Sequence, residues 1–161
     1  MRQTATAFLV VTVLTALLAA LSIAVQAKGY PQGGLGLARL DALASAATFV
    51  PLAALYAFAA LLIVLSPPRA AGFMHARAAG PIHFAAVVLL ATILGVQVAR
   101  LAFGNTGALR PLLDWQFVFA AGIVVAHEFL DLFRRDILLR TIGAIVFLAA
   151  TLACLFWTFR F

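Results

Sequence analysis

Residues 127–136, HEFLDLFRRD, carry six ionisable side chains in ten positions, in a chain with eleven Lys and Arg and five Asp and Glu in all. On a continuous helix His127, Glu128, Asp131, Arg134 and Arg135 share one sector of about 120°. Asp131 is four residues from both His127 and Arg135, the spacing at which helical side chains meet. A charged face is costly against lipid, so the pattern predicts a face turned toward other helices or a wet cavity. Four chemistries suit it. The acids could neutralise Arg134 and Arg135 at a membrane border while His127 fills a hydrogen bond. The face could dock a partner subunit. Glu128 and His127 could pass protons or ions. His127 could also serve a redox cofactor.

A haem b needs two ligands, usually neutral imidazoles that face one gap. His83 and His127 are the candidates, because antiparallel helices would bring both toward the same end. His75 reads as a solvated loop residue. At the opposite end, Gln97 and Arg100 are one helical turn apart, and Asp114 opens the next apolar segment. That spacing predicts an Arg100–Asp114 ion pair, or else an Arg100 contact to an anionic ligand or lipid headgroup. Asp136, four residues before Arg140, is expected to pair with it in the turn between helices.

The elements that position these residues follow from composition. Hydrophobic residues make up 66% of the 161 positions and charged residues 10%, against about a quarter charged in a soluble domain. Four runs without Lys, Arg, Asp or Glu are long enough to span a bilayer: 3–27, 42–68, 78–99 and 141–159. A fifth, between Asp114 and Arg134, has nineteen residues and reaches roughly 28 Å as a helix. It spans if His127, Glu128 and Asp131 are accepted inside. No period-two alternation supports a β-barrel. The expected fold is all-α: one domain of five transmembrane helices at about 5–27, 43–66, 82–103, 114–133 and 137–159, with the N-terminus cytoplasmic. The first run is read as a retained helix rather than a cleaved signal, since 25 uncharged residues exceed a signal core. Tyr30, Trp115 and Trp157 then fall at the outer interface, and the basic residues divide six inside to five outside.

The connections read as turns. KGYPQGGLGLARLD is Gly-rich without dinucleotide or P-loop spacing and is expected to be flexible. SPPRAAGFMHARAAGP fits a cytoplasmic connection, and GNTGALRP a tight outer turn. Pro51 removes a backbone donor inside the second helix. Ala-rich faces on the first two helices and the Gly122–Ala126 spacing predict close helix approach. Cys154, the single cysteine, forms no redox or zinc motif and reads as a packing residue.

The net charge of +6 is scattered over chain ends and loops, which excludes a nucleic-acid face and suits phospholipid headgroups. The motifs GxSxG and HExxH are absent. The positions of His127, Asp136 and Arg140 loosely resemble membrane anchors of quinone-linked dehydrogenases, which usually have fewer spans, and no family is assigned on them. The leading expectation is an accessory, anchoring or assembly subunit of a larger complex in a bacterial-type inner membrane. Its partners would be lipids and other subunits or further copies of itself. The alternatives are a redox anchor for haem b or quinone, and a small proton-coupled transporter or channel.

Overall fold

The structure, a computed structural model, describes residues 2–66 and 75–160. Among the described residues 91% are helical and none lies in a strand. The helices are α1 (Arg2–Ala27), α2 (Pro31–Leu43), α3 (Ala46–Leu65), α4 (His75–Ala102), α5 (Trp115–Val125), α6 (Leu130–Phe133) and α7 (Ile137–Arg160). A 3₁₀ helix, Thr106–Leu113, precedes α5, and a 3₁₀ turn, Ala126–Phe129, joins α5 to α6. Five helical stretches are long and apolar enough to cross a membrane: Gln3–Ala27, Pro31–Leu65, Ala79–Ala102, Trp115–Phe133 and Ile137–Phe159.

The chain forms two compact units. The first comprises the described residues up to Thr48 together with Val87–Asp114; the second comprises those of Phe49–Ala86 and from Trp115 onward.

In the first unit α1 packs on α2. The Gly-rich segment after α1 is this second helix and not a flexible turn. Gly29, at φ 86°, ends α1 with the Tyr30 amide donating back to the Val25 carbonyl, the left-handed closure that glycine allows. Pro31 then occupies the first helical turn, where its fixed φ suits a helix and its missing N–H costs nothing. The glycines that suggested flexibility serve contact instead. A methyl group on Gly33 would come within 2.5 Å of the Ser22 carbonyl oxygen and collide with the Gln26 backbone. Gly95 on α4 approaches α1 in the same way, with the Thr12 carbonyl 2.6 Å from where its Cβ would sit.

Asn105 starts the 3₁₀ helix after α4 by accepting the Gly107 amide at 3.2 Å, so GNTGALRP is a capped helical entry rather than a tight turn. The middle of the SPPRAAGFMHARAAGP connection, with Arg69, lies outside the described residues, as do the side chains of His75 and Arg77. Helix α4 begins at His75 and runs through Pro81, several residues ahead of the expected start.

In the second unit the core is built on α3, with Phe49, Ala53, Ala54, Tyr56, Ala57 and Ala60 buried. The alanines among them let neighbouring helices come close. Phe49 meets Phe117 of α5 at a ring distance of 5.1 Å. Trp115 at the start of α5 and Trp157 near the end of α7 meet edge-on at 4.5 Å, so these two helix ends lie together. At the other end of α3, the Arg140 guanidinium donates from Nε to the Val64 carbonyl at 2.7 Å and from Nη2 to the Leu65 carbonyl. Carbonyls in the last turn of a helix have no intrahelical donor, and a cation there also meets the negative end of the helix dipole. The expected Arg140–Asp136 pairing is therefore corrected. The Arg140 amide does bond the Asp136 carbonyl, but its side chain caps α3.

Gly122 corrects a second expectation. It is exposed, and a Cβ there would meet nothing within 4 Å, so it does not mark a close helix contact. The contrast sets a test. Gly33→Val should lower unfolding stability by about 1–3 kcal/mol through overpacking. Gly122→Ala should be neutral or slightly stabilising. Equilibrium unfolding of the purified protein in detergent reads both.

Candidate functional site

The second unit holds three polar rings that touch. Tyr56, near the middle of α3, is fully buried. His83 on α4 is buried, and His127 on the 3₁₀ turn is half-buried. The Tyr56 hydroxyl and His127 Nδ1 are 2.9 Å apart. The two imidazoles stack with centroids at 3.8 Å and planes 15° apart, and Tyr56 lies 5.3 Å from His83 and 5.7 Å from His127, ring to ring. His83 Nε2 donates to the Val124 carbonyl at 3.2 Å.

Local chemistry explains the arrangement. A buried phenol needs a hydrogen-bond partner, and in this apolar unit His127 supplies it. In an uninterrupted α-helix the Val124 carbonyl would accept the amide of residue 128. The chain instead tightens into a 3₁₀ turn at Ala126–Phe129, where bonds run to the third residue. Val124 is the penultimate residue of α5, and its carbonyl accepts the His83 proton. A carbonyl only accepts, so His83 carries hydrogen on Nε2. His127 and Tyr56 can share their bond in either sense: the phenol donates to a bare Nδ1, or a protonated Nδ1 donates to the phenol oxygen.

This geometry limits charge. Two imidazolium ions at the 3.8 Å ring separation would repel by about 4 kcal/mol at an effective dielectric of about 20. The stacked pair therefore carries one positive charge at most near neutral pH.

The same geometry bears on the haem expectation. The two proposed ligands do come together, but face to face. Axial imidazoles approach an iron edge-on from opposite sides of a macrocycle, with ring nitrogens pointing at each other. Rings stacked at 3.8 Å leave no space for a macrocycle between them, and one nitrogen of each is already engaged. His83 and His127 in this arrangement do not form a bis-histidine haem site.

Glu128, Asp131, Arg135 and Asp136 are exposed and Arg134 is half-buried. The expected inward face is corrected: the 3₁₀ turn breaks the helical projection, His127 turns to the core, and the acids and Arg135 stay outside. Among the described residues no ion pair joins these acids and arginines to each other. The negative charges remain close enough to matter, since Glu128 acts electrostatically on Tyr56, His83 and His127, and Asp131 acts on His127.

In the first unit, Arg100 pairs with Asp41 of α2 through Nη2, which corrects the expected Arg100–Asp114 bridge. Arg100 and Asp41 are both partly exposed, so the pair ties α4 to α2 without a large energetic share. Gln97 is buried, and its Oε1 has no hydrogen-bond partner among the described residues. Cys154 is free and buried.

Tyr56 and Asp41 escaped the sequence reading. A single tyrosine within an otherwise apolar twenty-residue helix was a usable signal, because its hydroxyl must find a partner. Asp41 was hidden by the reading of its segment as a turn.

No protein-family model, curated protein or solved structure matches the chain, so function is read from the site and the surface.

Two substitutions test the site. Tyr56→Phe should cost about 1–3 kcal/mol, because the His127 nitrogen loses its partner in an apolar core. Arg140→Ala should cost about as much, by leaving two α3 carbonyls without their charged donor. Arg140→Lys should recover only part of that, since an ammonium cannot reproduce the forked contact. Denaturation curves of the three variants and the parent measure these differences.

Proposed function

We propose that the chain is a multi-pass protein of a bacterial-type inner membrane, N-terminus on the cytoplasmic side, and that it acts as an accessory, anchoring or assembly subunit of a larger membrane complex. The observation that carries this reading is the outward apolar surface of its five long helices. It is most extreme on α1, where 11% of the most apolar eighteen-residue window is buried. Leu9, Leu17 and Leu21 there are 63%, 63% and 61% exposed. In water such surface would drive association; in a bilayer, lipid and neighbouring helices cover it at no cost. A helix that packs so little on its own chain leaves an apolar face free for other subunits.

The exposed Glu128, Asp131, Arg135 and Asp136 at the α5–α7 turn suit a border with headgroups, where arginine side chains reach toward phosphate. Trp115 and Trp157 at the opposite end of the same unit suit the other interface, where aromatic rings gather. With five spans and a cytoplasmic N-terminus, the proposal has the α5–α7 turn inside and the α4–α5 connection outside.

Three measurements follow. The protein should stay in the membrane pellet after alkaline carbonate extraction; release into the supernatant contradicts insertion. Activity reporters fused after Arg135 should report the cytoplasm and those after Asn105 the outer side, and the reverse pattern contradicts the orientation. Mild-detergent purification should recover partner subunits in fixed stoichiometry. A single monodisperse copy would contradict the subunit reading, and a defined homo-oligomer would replace foreign partners with further copies.

A further inference from the structure

We propose that Tyr56, His127 and His83 form a proton-binding site with access from one side: a single proton arrives from the Glu128 edge, binds His127, and goes no further than Tyr56. The inference rests on the geometry of the second unit and is independent of the subunit reading above.

Three observations carry it. The first is the stack. With centroids 3.8 Å apart, the pair accommodates one charged ring facing one neutral ring. His83 is the neutral member, because its ring is buried, whereas His127 is half-buried and Asp131 acts on it as well as Glu128. A neutral imidazole face is a good neighbour for a cation.

The second is exposure. Tyr56 and His83 are buried, whereas His127 is half-buried and Glu128, next in the chain, is exposed. The Glu128 charge acts on all three rings. When His127 Nδ1–H donates to the Tyr56 oxygen, the Nε2 lone pair is free. A protonated Glu128 carboxyl, or hydronium, gives its proton to that nitrogen. The O–H bond breaks, an N–H bond forms, and a carboxylate (or water) and an imidazolium result. Tyr56 keeps its own proton and accepts the Nδ1–H bond throughout.

The third is where the polar groups stop. The titratable groups among the described side chains of the second unit lie on four elements. Helix α3 offers Tyr56 and α4 offers His83. The α5–α7 turn offers His127, Glu128, Asp131, Arg134, Arg135 and Asp136. Helix α7 offers Arg140, turned to the α3 carbonyls, and the buried Cys154. Beyond Tyr56 toward the Trp115–Trp157 end the described core is apolar: Phe49, Val50, Phe117, Ala120 and Ile123 are buried there. The Thr151 hydroxyl is held by the Phe147 carbonyl. Among the described side chains of this unit, no imidazole or carboxylate lies beyond Tyr56 toward that end.

The test uses full-length protein in lipid nanodiscs with His75→Gln, which leaves two imidazoles. Nitrogen-15 spectra of histidine-labelled protein are recorded from about pH 9 to about pH 4.5. One imidazolium should form, and it should vanish in His127→Gln, while His83 stays neutral with hydrogen on Nε2. After a pH jump, proton uptake should slow about tenfold in Glu128→Gln, a swap of similar shape at an exposed position that leaves the fold intact. Liposomes containing the parent protein should carry no steady proton current. Two imidazolium rings, or none, overturn the one-proton site. Unchanged uptake in Glu128→Gln overturns entry at that edge. Sustained proton flux through the parent overturns the dead end.

Discussion

The Tyr56 hydroxyl must be satisfied inside an apolar unit, and that requirement organises much of what surrounds it. A buried phenol without a partner costs about 1–3 kcal/mol. His127 meets it at 2.9 Å, but only because the chain tightens after α5 and turns this ring inward. His83 then covers the imidazole face and is itself held by the Val124 carbonyl next to the tightened turn. Ala53, Ala57 and Ala60 of the same helix as Tyr56 are also buried, and such small side chains allow close helix approach. Remove the phenol and the 3₁₀ turn loses the reason for its direction.

The first unit solves a different problem with different means. Helices α1 and α2 carry few polar side chains that meet, so their contact depends on shape. Gly33 lets α2 settle against the backbone of Ser22 and Gln26, and Gly95 lets α4 settle against Thr12. The Arg100–Asp41 pair joins α4 to α2 at a partly exposed position, where it selects a register more than it adds stability. Backbone proximity between helices is the usual way to hold apolar segments together when the surroundings are equally apolar.

The long apolar helices were legible in the sequence because length and lack of charge are properties of single segments. The two tryptophans at one end were legible for the same reason: each sits at a segment boundary. What escaped depends on pairs of segments. The same glycines that read as a flexible loop are, with Pro31 ahead of them, a helix fitted to its neighbour. The 100° projection of residues 127–136 assumed an unbroken helix, so it placed Glu128 and Asp131 beside His127 on one inward face. A single 3₁₀ turn sends the histidine in and leaves the acids out. Arg100 and Arg140 each had an acid nearby in sequence, Asp114 and Asp136. Arg100 took an acid far along the chain, Asp41, and Arg140 took two backbone carbonyls, because helix packing and not sequence distance decides which partner is within reach.

His83 and His127 lie ring against ring, each within ring contact of Tyr56. Solid-state NMR of histidine-labelled protein in lipid bilayers tests it directly. Ring-to-ring carbon and nitrogen cross-peaks between His83 and His127 are predicted, and they should persist, weakened, in Tyr56→Phe. Two well-resolved histidine rings with no mutual cross-peak in the parent protein would contradict the account.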